Sequence, residues 1–454
     1  MRKGMPVLLA VAVMLVALGA RAYATESRNI ALQAESWRII DDTNVQMFPA
    51  DVVNFNKAVY GELTGPTFTN DDYVGVHVPL GPGVLAIYSG DIPMTSGASA
   101  LFGRLGEPTD KYDLVPSAIM TNTQYATAGI PDGRINAMWG WTMKNGISLA
   151  FGAEWFSQVS KRNKDVGSSG TDYTASDSSS MLGIRGGMSM RVGPLDPLTF
   201  GLRFGLPEFS GNTSTVWVSG LSEKSFYEST GGTAIDFNIR GRVKDLVAPG
   251  SESFIYTAYS TGTINSRSGG SASEFIDYTG ESMRNKEKIT QDQIVMGFST
   301  NHKVGEASLA MWSLAVQYDT SGHEVSLCTS KFTDGTYKVK KTSVLANTIS
   351  VPITLGFEMK VFPWLAGRFS STSSIINRTT TTAKISAEPA DLSKAVRVTD
   401  NSNQNVALGL TVYAGDKLEI DGVISQNLLF HGPYFIGGVK DDGLFSRVSA
   451  TFRF

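Results

Sequence analysis

Residues 443–454 have the sequence GLFSRVSATFRF, in which apolar and polar side chains alternate up to the C-terminal phenylalanine. Successive side chains of an extended strand point to opposite faces, so this segment predicts a strand with one apolar and one polar face. The apolar face carries Leu444, Val448, Ala450, Phe452 and Phe454, and the polar face carries Arg447, Ser449, Thr451 and Arg453. Such a strand suits a membrane barrel or the edge of a soluble double sheet, and the rest of the chain has to decide between them.

The same alternation recurs along the chain. Large apolar side chains occupy every second position in residues 147–156, 182–192, 198–206, 235–243 and 353–361. No charged residue falls on these apolar faces, whereas the opposite faces carry Gly, Ser, Thr and charged residues. An uncharged band on one face of many strands is typical of an outer-membrane barrel, in which that band faces lipid.

Short and long connections alternate between the predicted strands. The short turns include Gly81-Pro82-Gly83, Lys144-Asn145-Gly146 and Ala414-Gly415-Asp416. The long polar tracts predicted as outer loops are residues 92–133, 157–179, 207–232, 262–290, 370–404 and 426–442. We therefore predict an all-β, transmembrane, antiparallel up-and-down β-barrel of about 14 to 16 strands, with an even number expected. Counting by strand direction favours 16, with 14 as the alternative.

The N-terminus predicts export. Arg2 and Lys3 precede an apolar run, and Ala22-Tyr23-Ala24 provides a cleavage site, so residues 1–24 are predicted to be a signal peptide. No later stretch of about 20 apolar residues predicts a spanning helix. The expected location is the cell outer membrane. A net charge of −3 offers no basic surface for nucleic acid, which is excluded as a partner.

Residues 25–56 have no regular period, and residues 57–454 form the predicted barrel. We predict that residues 25–56 pack in the barrel mouth as a plug or hatch that includes Asp41, Asp42, Pro49 and Ala50. The alternative is a tail in the periplasm.

Charged residues on the polar faces are predicted to line the lumen, where they meet water or each other. These residues are Glu154, Arg185, Arg203, Asp236, Arg240, Glu358, Arg368 and Arg447. Arg203 with Asp236, and Glu358 with Arg368, are predicted cross-strand pairs. Such pairs either rigidify the wall or set selectivity, and their mixed signs argue against a strongly ion-selective pore.

Two predicted outer loops contain more apolar side chains than a solvated loop requires. The predicted ligand-binding residues are Ile92, Met94, Leu101, Phe102 and Leu105 in the first loop and Phe430, Tyr434 and Phe435 in the last. They form either a groove for a small hydrophobic molecule or contacts between loops.

No motif for catalysis is present. The four histidines, His77, His302, His323 and His431, have no partner at ligand spacing, so no catalytic residue, metal or cofactor is predicted. The chain is therefore not expected to be an enzyme.

The pattern resembles the FadL/TodX-type outer-membrane transporters of hydrophobic compounds. The resemblance is carried by Asp41-Asp42 followed by Pro49-Ala50, by the apolar early loop and by Phe454, although Phe48 replaces the asparagine of the family's Asn-Pro-Ala. It implies a 14-stranded barrel with an internal hatch, ligand capture by outer loops and lateral exit through a gap in the wall. Pro352 is one candidate for that gap, and a strand end or bulge is the alternative.

The predicted function is passive transport of small hydrophobic compounds such as fatty acids or hydrocarbons. A general diffusion porin and a scaffold for a secretion or surface complex are the alternatives. Expected partners are outer-membrane lipid, a small hydrophobic molecule and, through Phe454, the barrel assembly machinery.

Overall fold

A computed structural model describes most of the chain from residue 26 onwards. The described residues are 26–32, 37–40, 42–64, 73–90, 134–164, 172–216, 222–272, 283–305, 307–331, 337–387, 391–400, 404–415, 417–424 and 445–454. They contain one α-helix, α1 (Glu26–Ala31), two 3-10 helices (Asp42–Gln46 and Pro49–Asn54) and seventeen strands.

The strands are β1 (Ala58–Thr64), β2 (Tyr73–Leu80), β3 (Gly83–Gly90), β4 (Arg134–Thr142), β5 (Ser148–Lys164), β6 (Asp172–Val192), β7 (Leu195–Val216), β8 (Ser222–Lys244), β9 (Ser251–Ala272), β10 (Met283–Val304), β11 (Ser308–Lys331), β12 (Tyr337–Phe362), β13 (Leu365–Ala387), β14 (Asp391–Asp400), β15 (Gln404–Ala414), β16 (Leu418–Ile424) and β17 (Phe445–Arg453).

All the strands belong to one antiparallel sheet that closes on itself. β17 pairs with β1, with Arg453 opposite Ala58 and Arg447 opposite Thr64. β13 pairs with β14 in its upper part and with β15 in its lower part, so β14 and β15 together fill one position of the wall. The wall therefore has sixteen positions, within the predicted range and above the fourteen implied by the family resemblance.

The two faces of the wall differ in polarity as predicted. Outward side chains such as Phe151, Ile184 and Leu355 are 60%, 59% and 59% exposed, whereas inward Glu154 and Arg185 are buried. An apolar outer surface of this extent is stable against hydrocarbon and not against water. No helix among the described residues is long and apolar enough to cross a membrane. The chain is an outer-membrane β-barrel.

The extent of the predicted loops was wrong in several places. Within the tract 207–232, β7 continues to Val216 and β8 begins at Ser222, and within 262–290 the strands β9 and β10 fill all but residues 273–282. Beyond the lipid, both faces of a strand are in polar surroundings, so the apolar alternation ends while the backbone pairing continues. The wall is therefore tall on the side formed by β6 to β13, whose strands have 21 to 26 residues. On the other side of the barrel the strands are as short as 7 residues.

Phe357 lies on the outward face of β12, five residues before the end of the strand at Phe362. We expect Phe357→Arg to lower the free energy of unfolding in lipid vesicles by about 2–4 kcal/mol, because the guanidinium would enter hydrocarbon. Phe357→Leu is the control and should cost less than about 1.5 kcal/mol. Denaturant titration of the vesicle-inserted protein measures both. If Phe357→Arg lowers the free energy of unfolding no more than Phe357→Leu does, this face does not contact lipid.

Candidate functional site

The described residues of the N-terminal segment, 26–32, 37–40 and 42–56, lie inside the barrel and span its bore. The second 3-10 helix packs against β3 to β7, and α1 packs against β13, β15, β16 and β17. Between them, Trp37 stacks on Tyr256 of β9 with ring centroids 4.9 Å apart. The segment therefore touches the wall on opposite sides of the lumen, and we refer to it below as the plug.

Two clusters of buried apolar side chains join the plug to the wall. Val45, Val52 and Phe55 pack in one cluster with Val84 of β3 and Met138 of β4. A second cluster joins Trp37, Met47 and Phe48 with Phe254, Tyr256, Ala258, Val295 and Ala315 of β9 to β11. Removing these side chains from water stabilises the plugged state by the hydrophobic effect, in addition to any polar contacts.

Glycines on the wall provide room for the backbone of the plug. A Cβ atom placed on Gly201 would lie 1.8 Å from the carbonyl oxygen of Met47, and one placed on Gly187 would lie 2.7 Å from the amide nitrogen of Ala50. Real Cβ atoms do not approach so closely, so only glycine permits this contact. The backbone of the plug therefore lies in direct contact with the backbone of the wall at these glycines.

Polar side chains anchor the plug to the wall. Arg240 of β8 donates to Asn44 Oδ1 at 2.6 Å and to the carboxylate of Asp51, and its guanidinium lies 4.3 Å from the ring centroid of Phe48. All four residues are buried. A buried carboxylate and guanidinium are compatible with folding only when paired, so this contact fixes both partners.

Two further anchors lie on other strands. Gln46 accepts hydrogen bonds from Asn136 of β4, at 2.7 Å, and from Arg185 of β6. On the other side of the bore, Arg28 of α1 donates to both oxygens of Glu358 at 2.7 and 3.0 Å. The plug is thus held at widely separated points of the wall.

Wall residues near the plug form an ion-pair network with equal numbers of positive and negative charges. Glu154 accepts from Arg203 Nε at 2.6 Å and from Arg185, and Arg203 Nη1 lies 3.8 Å from Asp236. All four side chains are buried on adjacent strands β5 to β8. Since the charges compensate each other, the network fits a wall-stabilising role.

A second network lies across the lumen. Arg368 donates to Glu358 at 2.6 Å and to Asp421, and it lies 3.7 Å from Glu419. Arg447 donates to Glu62 at 2.7 Å, across the β17–β1 closure.

The structure places the predicted site residues unequally. All eight predicted lumen residues lie on inward positions: Glu154, Arg185, Arg203, Asp236, Arg240, Arg368 and Arg447 are buried, and Glu358 is half-buried. Of the predicted plug residues, Asp42 begins the first 3-10 helix, Pro49 and Ala50 lie in the second, and Asp41 is outside the described residues. The eight predicted ligand-binding residues, Ile92, Met94, Leu101, Phe102, Leu105, Phe430, Tyr434 and Phe435, also lie outside the described residues.

Sequence reasoning missed the plug side of the anchors, namely Arg28, Asn44, Gln46 and Asp51. The plug has no strand period, so no face could be assigned to its residues. One sequence feature pointed to these anchors: β6 to β8 carry more inward arginines than inward carboxylates. Because arginine only donates hydrogen bonds, these side chains require acceptors elsewhere in the lumen.

The ladder between β7 and β8 is interrupted near its middle. Regular pairing stops at Gly205 opposite Ala234 and resumes at Ser210 opposite Glu228, so four residues of β7 face five of β8. Pro207 lies in this interval and has no N–H to donate. The predicted candidate Pro352 lies at a smaller register shift in the β12–β13 pairing, where it is still opposite Ser374. A bulge, the alternative stated for Pro352, describes that position.

The inner surface at the β7–β8 interruption is apolar. Met181 of β6 is opposite Pro207, and Ile264 of β9 is opposite Gly232, and both large side chains are buried. Outside, Leu202 and Leu206 of β7 are 52% and 41% exposed. We refer to residues 206–209 and 229–233 as the wall break. Its inner side meets Met181 and Ile264, and its outer side carries Leu206 together with the exposed residues Glu208, Thr230 and Thr233.

The described histidines do not form a catalytic arrangement. His77 is buried, with its ring nitrogens at the Tyr88 hydroxyl and the Phe55 carbonyl, and His323 pairs with Glu287. Among the described residues, no group of three or more His, Cys, Asp or Glu side chains is placed to hold a metal ion.

No protein-family model and no curated protein matches the chain. Solved structures similar to it include a Pseudomonas aeruginosa FadL homologue, with 10% identity, TM-score 0.34 and coverage of 96% of this chain and 100% of that one. The Pseudomonas putida toluene transporter TodX has 9% identity, TM-score 0.30 and coverage of 86% and 98%. The FadL/TodX type, which the sequence resembles, is among them.

The similar structures also include the ferric yersiniabactin uptake receptor FyuA from Yersinia pestis. It has 10% identity, TM-score 0.34 and coverage of 87% of this chain and 74% of that one. With identities and TM-scores this low, the function of this chain rests on its own residues.

The contact of Gly201 with the plug can be tested by adding one methyl group. We expect Gly201→Ala to displace the segment around Met47, because the new Cβ would overlap its carbonyl oxygen. Hydrogen–deuterium exchange of residues 42–54 should become faster in the purified barrel. Gly367→Ala is the matched control, since a Cβ there would meet nothing within 4 Å. Equal exchange in the two variants would show that the plug does not depend on this fit.

Asp51→Ala removes the acceptor of a buried arginine. We expect it to cost about 3–5 kcal/mol of plug binding, because Arg240 would remain charged and buried. In planar bilayers, channel openings should become larger or more frequent as the plug is released. The control is Asp196→Ala, which breaks an exposed pair with Arg191 that is worth about 0–1 kcal/mol. A conductance unchanged by Asp51→Ala would contradict an anchoring role for this pair.

Proposed function

We propose that this chain is an outer-membrane channel through which a small hydrophobic compound, such as a hydrocarbon or a fatty acid, passes from the outside and leaves the lumen sideways. The observation that carries the proposal is the wall break between β7 and β8, with Met181 and Ile264 on its inner side and Leu206 on its outer side. An apolar solute that leaves by this route exchanges the apolar inner surface at Met181 and Ile264 for Leu206 and lipid, whereas a polar solute would have to enter hydrocarbon.

The proposed path begins at the outer loops that contain Ile92 and Phe430, which we propose capture the ligand. It continues into the lumen above the plug. Trp37 and Tyr256 pack in the buried apolar cluster between the plug and the wall, and the charge network of Glu154, Arg185 and Arg203 lies next to the break. Because Arg203 and Gly205 are followed by Pro207 on the same face, the inner wall changes from charged to apolar over four residues of β7.

The plug argues against the alternative of a general diffusion porin. A barrel of about 16 strands leaves a water-filled bore when nothing occupies it. Here buried side chains and backbone contacts hold the described residues of the plug across that bore. A water-soluble solute would have to displace these contacts, whereas lateral exit of an apolar solute leaves them in place.

Closing the wall break with a disulfide tests the route. In a background with Cys328→Ser, we expect the Pro207→Cys, Gly232→Cys pair to form a cross-link, because a Cβ on Gly232 would lie 2.9 Å from Pro207 Cγ. Uptake of radiolabelled toluene and oleate by cells that express the oxidised variant should fall to background. Reduction of the disulfide should restore it.

The matched control is the Gly205→Cys, Ala234→Cys pair, which joins directly opposed residues in the regular part of the same ladder. Its oxidation should leave uptake unchanged. Uptake that persists through the cross-linked break would exclude lateral exit at this point. Absence of uptake in the unmodified protein, for both compounds, would count against the proposed substrate class.

A further inference from the structure

A basic surface lies on the outside of the tall part of the wall. In the register of β9 to β12, Arg267 is opposite Lys286, Lys286 is opposite Ser326, and Ser326 is opposite Lys341. These four residues therefore form one row across four strands, with neighbouring strands about 4.8 Å apart. Lys288 lies two residues from Lys286 on the same face of β10.

The lysines of this row are exposed. Lys286, Lys288 and Lys341 are all exposed, and the side chain of Arg267 is 42% exposed. Two carboxylates are close: Glu228 pairs with Arg267, and Glu324 is opposite Lys288. Four cations against two anions leave this patch with a net positive charge, on a chain whose own net charge is −3.

The patch continues outward from the lipid-facing belt. Along β10 the outward residues are Met296 and Ile294, which are 58% and 40% exposed, then Asp292 and Thr290, and then Lys288 and Lys286. Ile294 is flanked by Tyr259 and Tyr318, an aromatic arrangement typical of the membrane interface. With strands tilted by about 40°, Lys286 lies roughly 20 Å beyond Ile294.

We propose that the row of Arg267, Lys286, Ser326 and Lys341, together with Lys288, binds the phosphate groups of a glycolipid headgroup in the outer leaflet of the membrane. Ammonium and guanidinium groups form charge-assisted hydrogen bonds with phosphate, and the Ser326 hydroxyl adds a donor between Lys286 and Lys341. The acyl chains of the same lipid would lie against the belt that contains Met296 and Ile294.

The position of the patch favours a lipid over a phosphate from solution. It lies on the outer surface of the barrel and not in the lumen, on the same strands as the lipid-facing residues and roughly 20 Å beyond them, a distance that the saccharide part of a glycolipid headgroup can span. Lysine side chains can extend along the wall towards the interface while the charge stays in polar surroundings. A headgroup anchored by its acyl chains is therefore presented to the row at high local concentration.

Replacement of three lysines tests the site on the full-length barrel in detergent. The Lys286→Gln, Lys288→Gln, Lys341→Gln variant is compared with Lys144→Gln, Lys244→Gln, Lys303→Gln, which removes three exposed lysines at the rim with short turns. The probe is purified lipopolysaccharide, and binding is measured by titration with native mass spectrometry. We expect binding to the first variant to be weaker by about a hundredfold, since each lysine near an anionic lipid contributes roughly fivefold.

Two further binding experiments test whether the phosphate groups of the lipid are recognised. Chemically dephosphorylated lipopolysaccharide should bind the unmodified barrel as weakly as intact lipopolysaccharide binds the first variant. Inorganic phosphate at millimolar concentration should not compete. Equal losses in the two triple variants, full binding of the dephosphorylated lipid, or competition by inorganic phosphate would each overturn the proposal. Circular dichroism of each variant checks that the barrel is folded, and the dephosphorylated-lipid arm tests the proposal without any substitution.

Discussion

The structure depends on one constraint: inside a membrane there is no water to satisfy the hydrogen-bonding groups of a strand edge. An open sheet would leave such an edge in hydrocarbon, so the first and last strands have to meet. They do so through seven consecutive pairs between β1 and β17. Arg447 and Glu62 form an ion pair across this closure, on the inner face where the wall is polar. Closure of the sheet gives the wall an outer face, which carries the apolar side chains, and an inner face, which carries the polar ones. The two ion-pair networks and the plug lie on the inner face.

A wall of sixteen positions encloses more space than its own inward side chains can fill. The chain fills part of that space with the described residues of its plug. Shape and charge both contribute: glycines such as Gly201 allow the backbones to touch, and arginines such as Arg240 form ion pairs with acceptors in the plug. Inward arginines such as Arg185 and Arg240 thereby obtain hydrogen-bond acceptors from the plug. The inner wall is therefore specialised by region, with charges at the plug and apolar side chains at the wall break.

The sequence predicted the inward charges well because parity along a strand is a local property. Once Ile184 and Phe204 are taken to face lipid, Arg185 and Arg203 must face the lumen. Glu358 and Arg368 were predicted to pair and lie 2.6 Å apart for the same reason. Their partners in the plug could not be predicted, since Asp51 and Asn44 lie in a segment without a period. The extent of β7 to β10 was underestimated because the alternation used to find strands reflects lipid, and these strands continue beyond it.

By itself the sequence determined that the chain forms a membrane barrel and which side chains face outward, since both depend on a repeat of two residues. The tertiary structure decided between fourteen and sixteen wall positions, and it alone showed the contacts that dock the plug and the break between β7 and β8. Each of these depends on contacts between residues far apart in the chain: Arg28 and Glu358 are 330 positions apart, and Arg240 and Asn44 are 196 apart. Such contacts depend on the register between strands and on closure of the barrel, which involve all the strands together. Neither produces a periodic pattern in the sequence of a single strand.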